Sequence, residues 1–158
     1  MPGVAALVLA AGASRRLGKP KQNVVFEGET LLDRAMRIAR EVADEVIVVT
    51  RENNPSADEG MASSIREGVR LADPAARILI TLCDQPLVTA EHLHALIAVD
   101  APIVATGYAG IAGVPAIFAP SFREELLALR GDVGARAVIE RYGAVVVPFE
   151  NAAFDVDT

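Results

Sequence analysis

The chain has 158 residues, 52% of them apolar and 23% charged, so it can bury a packed core and a disordered chain is excluded. Its 15 Lys and Arg stand against 21 Asp and Glu, and the resulting net charge of −6 opposes a nucleic-acid backbone, so no nucleic-acid partner is expected. Aromatic residues make up 4% with no Trp, which removes stacking platforms and leaves a bound nucleobase to be read by main chain.

Val4 to Leu9 is an apolar run without a helical stripe, followed by small residues, and reads as a buried parallel strand entering a glycine-bearing loop. It lacks the leading positive segment of a secretory signal, and its arginines come after it. Thr30 is placed to cap a helix over Leu31 to Ala43, whose apolar residues recur at three- and four-residue spacing. Glu45 to Thr50 is the next strand, 51–59 is polar with an Asn-Asn-Pro turn, and Met61 to Ala72 is the second helix. Arg77 to Leu82 is the most apolar strand, ending in Cys83-Asp84-Gln85-Pro86, and Thr89 caps a helix from Ala90 to Val99.

The stretch from Ala101 to Phe122 holds no charge, yet its prolines and glycines divide it into strands Ile103 to Thr106 and Val114 to Phe118 around a glycine-rich turn. No membrane span is expected there. Ser121 opens a helix to Leu129, Asp132 caps another ending at Gly143, and Ala144 to Pro148 closes as a strand. Alternating strands and helices give an α/β fold, a three-layer αβα sandwich in one domain over 1–158, with a mostly parallel sheet and the Val114 strand antiparallel. The single cysteine, Cys83, excludes an internal disulfide and points to a reducing, cytoplasmic setting.

In open α/β sheets ligands bind beyond the carboxyl ends of strands, so the loops after Leu9 and Leu82 carry the chemistry. The first runs Leu9-Ala10-Ala11-Gly12-Ala13-Ser14-Arg15-Arg16-Leu17-Gly18-Lys19-Pro20-Lys21. Its small residues let a ring or a phosphate approach the main chain, and its four cations can neutralise a polyphosphate. It is no P-loop: five residues separate Gly12 from Gly18 where four are required, and Pro20 stands where a magnesium-binding hydroxyl belongs.

The second loop presents Asp84 at the end of a very apolar strand, where a carboxylate needs a partner or a metal, and magnesium suits it. Asp155 and Asp157 alternate onto one side of an extended tail, so either could complete that metal site. His92 and His94, two apart on a helix, diverge and are structural or surface residues. Cys83 has no histidine at a motif-like spacing and reads as a buried strand-end thiol.

Leu-Ala-Ala-Gly-Ala-Ser-Arg-Arg-Leu-Gly with Lys21 resembles the signature of nucleotidyltransferases with a Rossmann-related, GT-A-like fold. Gly60-Met61-Ala62-Ser63-Ser64, Leu82-Cys83-Asp84-Gln85-Pro86, Val114-Pro115-Ala116, Gly131-Asp132-Val133-Gly134-Ala135-Arg136 and Asp155-Val156-Asp157-Thr158 resemble its molybdenum cofactor cytidylyltransferase branch, in the MobA-like NTP transferase family. The resemblance implies transfer of a nucleoside monophosphate from a magnesium-bound NTP to a phosphate of molybdopterin, with release of pyrophosphate.

It also implies the roles of single residues. Leu9 and the Ala10 to Gly12 stretch contact the base with Ser14 and Arg15 beside them, Arg16 binds the leaving phosphates, and Lys21 holds the α-phosphate. Asp84 and Asp157 bind Mg2+, and the Gly60 to Ser64 segment borders the base, with Gly60, Ser63 and Ser64 its nucleotide-binding residues. Ala10-Ala11-Gly12 implies CTP as the donor. Relatives fit a further helix and edge strand where this chain has only 51–59, so one edge unit is expected to be shortened, and they continue past the position of Thr158 into a Pro-Glu-Asp segment. Two other readings compete: transfer to a sugar phosphate or another phosphorylated metabolite, and a non-catalytic carrier that delivers cofactor to a molybdoenzyme.

Overall fold

The computed structural model describes residues 3–10, 13–14, 19–20 and 24–155, with 13–14 and 19–20 described by backbone alone. In chain order the strands are β1 (Val4–Leu9), β2 (Ala13–Ser14), β3 (Lys19–Pro20), β4 (Val25–Phe26), β5 (Glu29–Thr30), β6 (Glu45–Val49), β7 (Arg77–Leu82), β8 (Ile103–Tyr108), β9 (Ile111–Phe118) and β10 (Val145–Pro148). The helices are α1 (Leu31–Val42), α2 (Met61–Leu71), α3 (Ala90–Ala98), α4 (Arg123–Leu127) and α5 (Arg136–Tyr142).

Six strands make the main sheet in the order β10-β8-β9-β7-β1-β6. β1 pairs in parallel with both β6 and β7, β10 pairs in parallel with β8, and β9 runs antiparallel to its neighbours β7 and β8. Two short antiparallel ribbons, β2-β3 and β4-β5, lie outside this sheet. The mixed sheet with its antiparallel Val114 strand is therefore as expected.

The three layers follow from the alternation of β1. Its Ala5, Leu7 and Leu9 join one core with Ile65, Val69, Ile78, Ile80, Phe118 and Val138, while Val4, Ala6 and Val8 join another with Ile38, Leu79, Leu93 and Leu96. A strand buried on both faces needs helices on both, and α2, α4 and α5 cover one face while α1 and α3 cover the other. Leu7 is fully buried, and removing such a side chain costs about 2–5 kcal/mol.

Both threonine caps form as expected. The Thr30 hydroxyl accepts from Asp33 N at 3.1 Å and the Thr89 hydroxyl from His92 N at 3.1 Å. Three local expectations give way. β8 and β9 run to a two-residue turn at Ala109-Gly110, because both residues hold positive φ, 51° and 76°, the twist that matches paired strands. Ser121 lies inside a 3-10 turn, Pro120–Phe122, which the pre-set φ of Pro120 starts earlier. Asp132 caps no helix: α5 begins at Arg136, and the preceding loop is drawn onto the start of α2, where Gly131 O accepts from Ala62 N at 3.1 Å.

β6 ends the sheet on one side, in keeping with a shortened edge unit. There the Asn53 side chain donates to Val48 O at 2.7 Å and accepts from Thr50 N at 2.8 Å. That pair of bonds, made to residues on either side of Val49, is the pattern a neighbouring parallel strand would make through the N–H and C=O of one residue. Among the described residues, no helix is long and apolar enough to cross a membrane.

Candidate active site

The carboxyl ends of β6, β1 and β7 lie side by side at the point where the chain leaves β1 for opposite directions in the sheet. Ala10 N donates to Val49 O at 2.8 Å and Cys83 N to Leu9 O at 3.3 Å, so the three strand ends are stitched together just where their loops begin. Above them a cavity of about 200 Å³ is lined by Leu9 and Ala10 from β1, Arg51 and Ala57 after β6, Gly60, Met61 and Ser64 at the start of α2, and Leu82, Cys83 and Asp84 from β7.

Five of the residues expected from sequence thus share one cavity: Leu9, Ala10, Gly60, Ser64 and Asp84. Ser63 does not line it. It is buried behind the wall, where its hydroxyl donates to Gly60 O at 2.9 Å and accepts from Asn54 Nδ2 at 3.0 Å. Ser14 is described by its backbone alone, paired with Lys19 in the β2-β3 ribbon. Ala11, Gly12, Arg15, Arg16, Lys21 and Asp157 lie outside the described residues.

The start of α2 is fixed by glycine. Gly60 has φ +127°, and a Cβ there would come within 2.3 Å of Asp132 Oδ1 and 2.6 Å of Gly131 O. The 131–136 loop therefore presses directly on the residue that opens the helix. Asn54, 3% exposed, supports the same turn: its Nδ2 also donates to Ser64 Oγ at 3.2 Å, and its Oδ1 accepts from Ser56 N at 3.1 Å. Because Asn54 supplies a donor to Ser64 Oγ, that hydroxyl keeps its own proton for another acceptor, and it does so on the cavity wall.

Beside Asp84, Gln85 donates from Nε2 to Val114 O at 3.2 Å and to Ala152 O at 3.0 Å, tying the β7 loop to β9 and to the segment that leads into Asp155. The Tyr108 hydroxyl stands in the field of this region. Burial raises its pKa most, the Arg136 cation lowers it, and Asp155 and Asp84 raise it further. Cys83 is buried, as expected for a strand-end thiol. His92 is buried too, its Nε2 2.8 Å from Thr106 Oγ1 and its ring stacked on Phe149 at 4.4 Å. Among the described residues there is no cluster of three or more His, Cys, Asp or Glu that could hold a metal, so Asp84 is the metal-binding candidate they contribute to this cavity.

Met61, inside the Gly60 to Ser64 segment expected to border the base, lines the wall as well; sequence reasoning missed Arg51 and Ala57 as wall residues, and Tyr108 and Arg136 as their neighbours. Arg51, one residue past the expected strand and ion-paired to Asp58, was readable as a cation at a strand's carboxyl end.

Comparison with known proteins shows which proteins the chain resembles. The chain is 29% identical, over an alignment 190 positions long, to the purine catabolism protein PucB of Bacillus subtilis, covering 99% of this chain and 93% of that one. It is 30% identical over 107 residues to a probable molybdenum cofactor guanylyltransferase of Opitutus terrae, covering 68% of this chain and about half, 52%, of that one. Among solved structures it superposes on Rv0371c of Mycobacterium tuberculosis with a TM-score of 0.85 and 29% identity, covering 99% and 94% of the two chains. A structure of the same protein in complex with manganese gives a TM-score of 0.80 at 25% identity, covering 99% and 92%. A family model of the MobA-like NTP transferase domain matches residues 6–145, most of the chain, and the chain belongs to this family.

Proposed function

We propose that the chain, acting over 1–158 as one domain, moves a nucleoside monophosphate from an NTP to the phosphate of molybdopterin. An oxygen of the acceptor phosphate attacks the α-phosphorus and forms the new P–O bond. The bond from the α-phosphorus to the oxygen bridging to the β-phosphorus breaks, and pyrophosphate leaves with that electron pair. A phosphate monoester has its second pKa near 6, so the nucleophile is already mostly dianionic at neutral pH and no general base is needed. Charge repulsion is the obstacle, and the residues proposed here answer it.

The observation that carries this reading is the single cavity over β6, β1 and β7, which joins the Leu9-Ala10 main chain, the Ser64 hydroxyl and the Asp84 carboxylate. The nucleobase would lie against Leu9, Ala10, Ala11, Gly12 and Gly60, with Ser64 donating to one of its acceptor atoms. Arg16, with Arg15 beside it, would hold the departing phosphates, and Lys21 the α-phosphate.

Asp84, a carboxylate at the end of β7 on the cavity wall, suits magnesium, a hard cation that takes oxygen ligands. Magnesium takes one or two carboxylates together with substrate phosphates, so no larger acidic cluster is required. Asp84 and Asp157 would hold it, and when bound it supplies further neutralisation of phosphate charge.

Ala10-Ala11-Gly12 favours CTP as the donor, whereas the guanylyltransferase named among the relatives makes GTP the competitor. The test is to incubate the protein with Mg2+ and each NTP, with and without molybdopterin, and follow pyrophosphate. Acceptor-dependent release with CTP supports the whole reading, and preference for GTP replaces the base assignment alone. Nucleotide binding with no release under any acceptor supports the carrier that serves a molybdoenzyme.

A further inference from the structure

The nucleotide cavity has a neighbour across a shared wall. Leu9, Met61 and Leu82 line both it and a second cavity of about 130 Å³. The second is apolar on most sides, with Ile65, Ile80, Ile111 and Val114 in its lining. Among the described residues, Tyr108 and Arg136 are its only side chains able to make directed polar contacts.

Its small residues are there for room. A Cβ on Gly113 would come within 3.0 Å of Tyr108 Oη, and one on Gly134 within 3.2 Å of Met61 Cγ, so side chains at either position would crowd the phenol or the shared wall. Arg136 pairs through Nε with Glu140 at 2.9 Å on the exposed side of α5. A guanidinium carries five N–H donors in a fork, so that pairing does not exhaust it. Asp84 and Asp155 bring negative charge to the same region, which would expel an anion from any place not faced by a cation. Arg136 is the cation on this cavity's wall.

We propose that this second cavity is the acceptor subsite, built for a planar heterocycle bearing a phosphate monoester, with the ring between the apolar walls, the phosphate on the Arg136 guanidinium and the Tyr108 hydroxyl hydrogen-bonded to it. The inference rests on the nucleotidyl-transfer reading above. It places the attacking phosphate oxygen at the border that Leu9, Met61 and Leu82 share with the nucleotide cavity, so the bond that forms to the α-phosphorus and the bond that releases pyrophosphate are the ones already described. Arg136 takes and gives no proton. It is a positioning residue for the acceptor.

The test uses the full chain without nucleotide, titrated calorimetrically with molybdopterin, with pyridoxine 5′-phosphate as an unrelated phosphorylated ring, and with pyridoxine as its phosphate-free control. Arg136→Ala is expected to weaken both phosphorylated rings by about tenfold or more, the loss of a charge-assisted contact, with part of it restored by Arg136→Lys. Pyridoxine should bind weakly and alike in wild type and Arg136→Ala. Affinity for CTP or GTP alone should stay within about twofold, since separate sites behave independently. In turnover, the acceptor KM should rise more than kcat falls.

Unchanged binding of the phosphorylated rings in Arg136→Ala overturns the proposal, as does failure of both rings to bind the wild type. So does a parallel loss of nucleotide affinity, which would put Arg136 in the nucleotide site. If pyridoxine 5′-phosphate binds through Arg136 and molybdopterin does not, the subsite stands and the acceptor named above falls. Should Arg136→Ala not fold, Tyr108→Phe removes a single oxygen from the same cavity, and unchanged binding of both phosphorylated rings in that variant overturns the proposal.

Discussion

Glu59 and Arg66 form a two-pronged ion pair, with Nη2 on Oε1 at 2.6 Å and Nη1 on Oε2 at 2.9 Å, and the same Oε2 accepts from Gly131 N at 3.0 Å. The carboxylate therefore binds the turn before α2 to the loop that carries Arg136. The Arg66 hydrogen bonds, and after them the Gly131 amide, lower the Glu59 pKa from 4.5 to about 2. A depressed carboxylate stabilises the fold fully above its unfolded value and loses that contribution as pH falls through its folded one. Glu59→Gln should lower the melting temperature at neutral pH, and its gap from wild type should narrow below pH 4.5 and close near pH 2. A gap that stays constant across that range in thermal melts would count against the ion pair.

Asn54→Asp tests the proton arrangement at Ser64. A carboxylate has no donor to give, so the Ser64 hydroxyl would turn its proton toward it and away from the cavity, and the Ser63 hydroxyl would turn its own away from Gly60 O. Denaturant unfolding should show a loss of about 1–3 kcal/mol for the buried polar group left mismatched. Nucleotide titration should show weaker binding, and undiminished affinity would remove Ser64 from the base contacts.

Asp84→Asn should keep the fold and lose the metal. Changes in residues around metal ligands cost about 10–100-fold in affinity, so a ligand itself should cost at least that. Mn2+ binding followed by electron paramagnetic resonance measures it without any turnover. Lys21→Ala should lower turnover about 100-fold, the scale of losing one transition-state donor. Normal turnover in that variant would reject its assignment.

His92 and Thr106 supply the pH response of the core. The Thr106 hydroxyl donates to Pro115 O at 2.6 Å, so its oxygen accepts from His92, which fixes the neutral ring with its proton on Nε2. Burial lowers the His92 pKa. The unfolded chain then takes up a proton that the fold refuses, and stability should fall as pH drops below about 6.5. His92→Phe, which keeps a ring against Phe149, should flatten that slope in pH-dependent unfolding. Thr106→Val should cost about 1–3 kcal/mol at neutral pH by leaving the ring donor and Pro115 O without their partner.

Most of the scaffold was legible because it follows from local rules. β1 and β7 show as unbroken apolar runs because both their faces are covered, and Thr30 and Thr89 stand where a helix needs its first amides satisfied. The site was legible as far as it lies at strand ends, which is why Leu9, Ala10 and Asp84 share a cavity. Arg136 and Tyr108 were not, since their meeting depends on β9 lying between β8 and β7, an order that no spacing encodes. Nor was the contact of Gly60 with the 131–136 loop, which decides where α5 begins against the local preference of Asp132 for a cap.

The amide of Asn53 has one more consequence. A sheet grows when a foreign strand finds open N–H and C=O groups at its border. Here the Val48 carbonyl and the Thr50 amide are already taken by a side chain, and the far border ends on Pro148, which has no N–H to offer. The two borders are thereby blunted by different devices, and replacing Asn53 with Val would reopen one of them to a single added strand while the proline at the other still bars a growing stack.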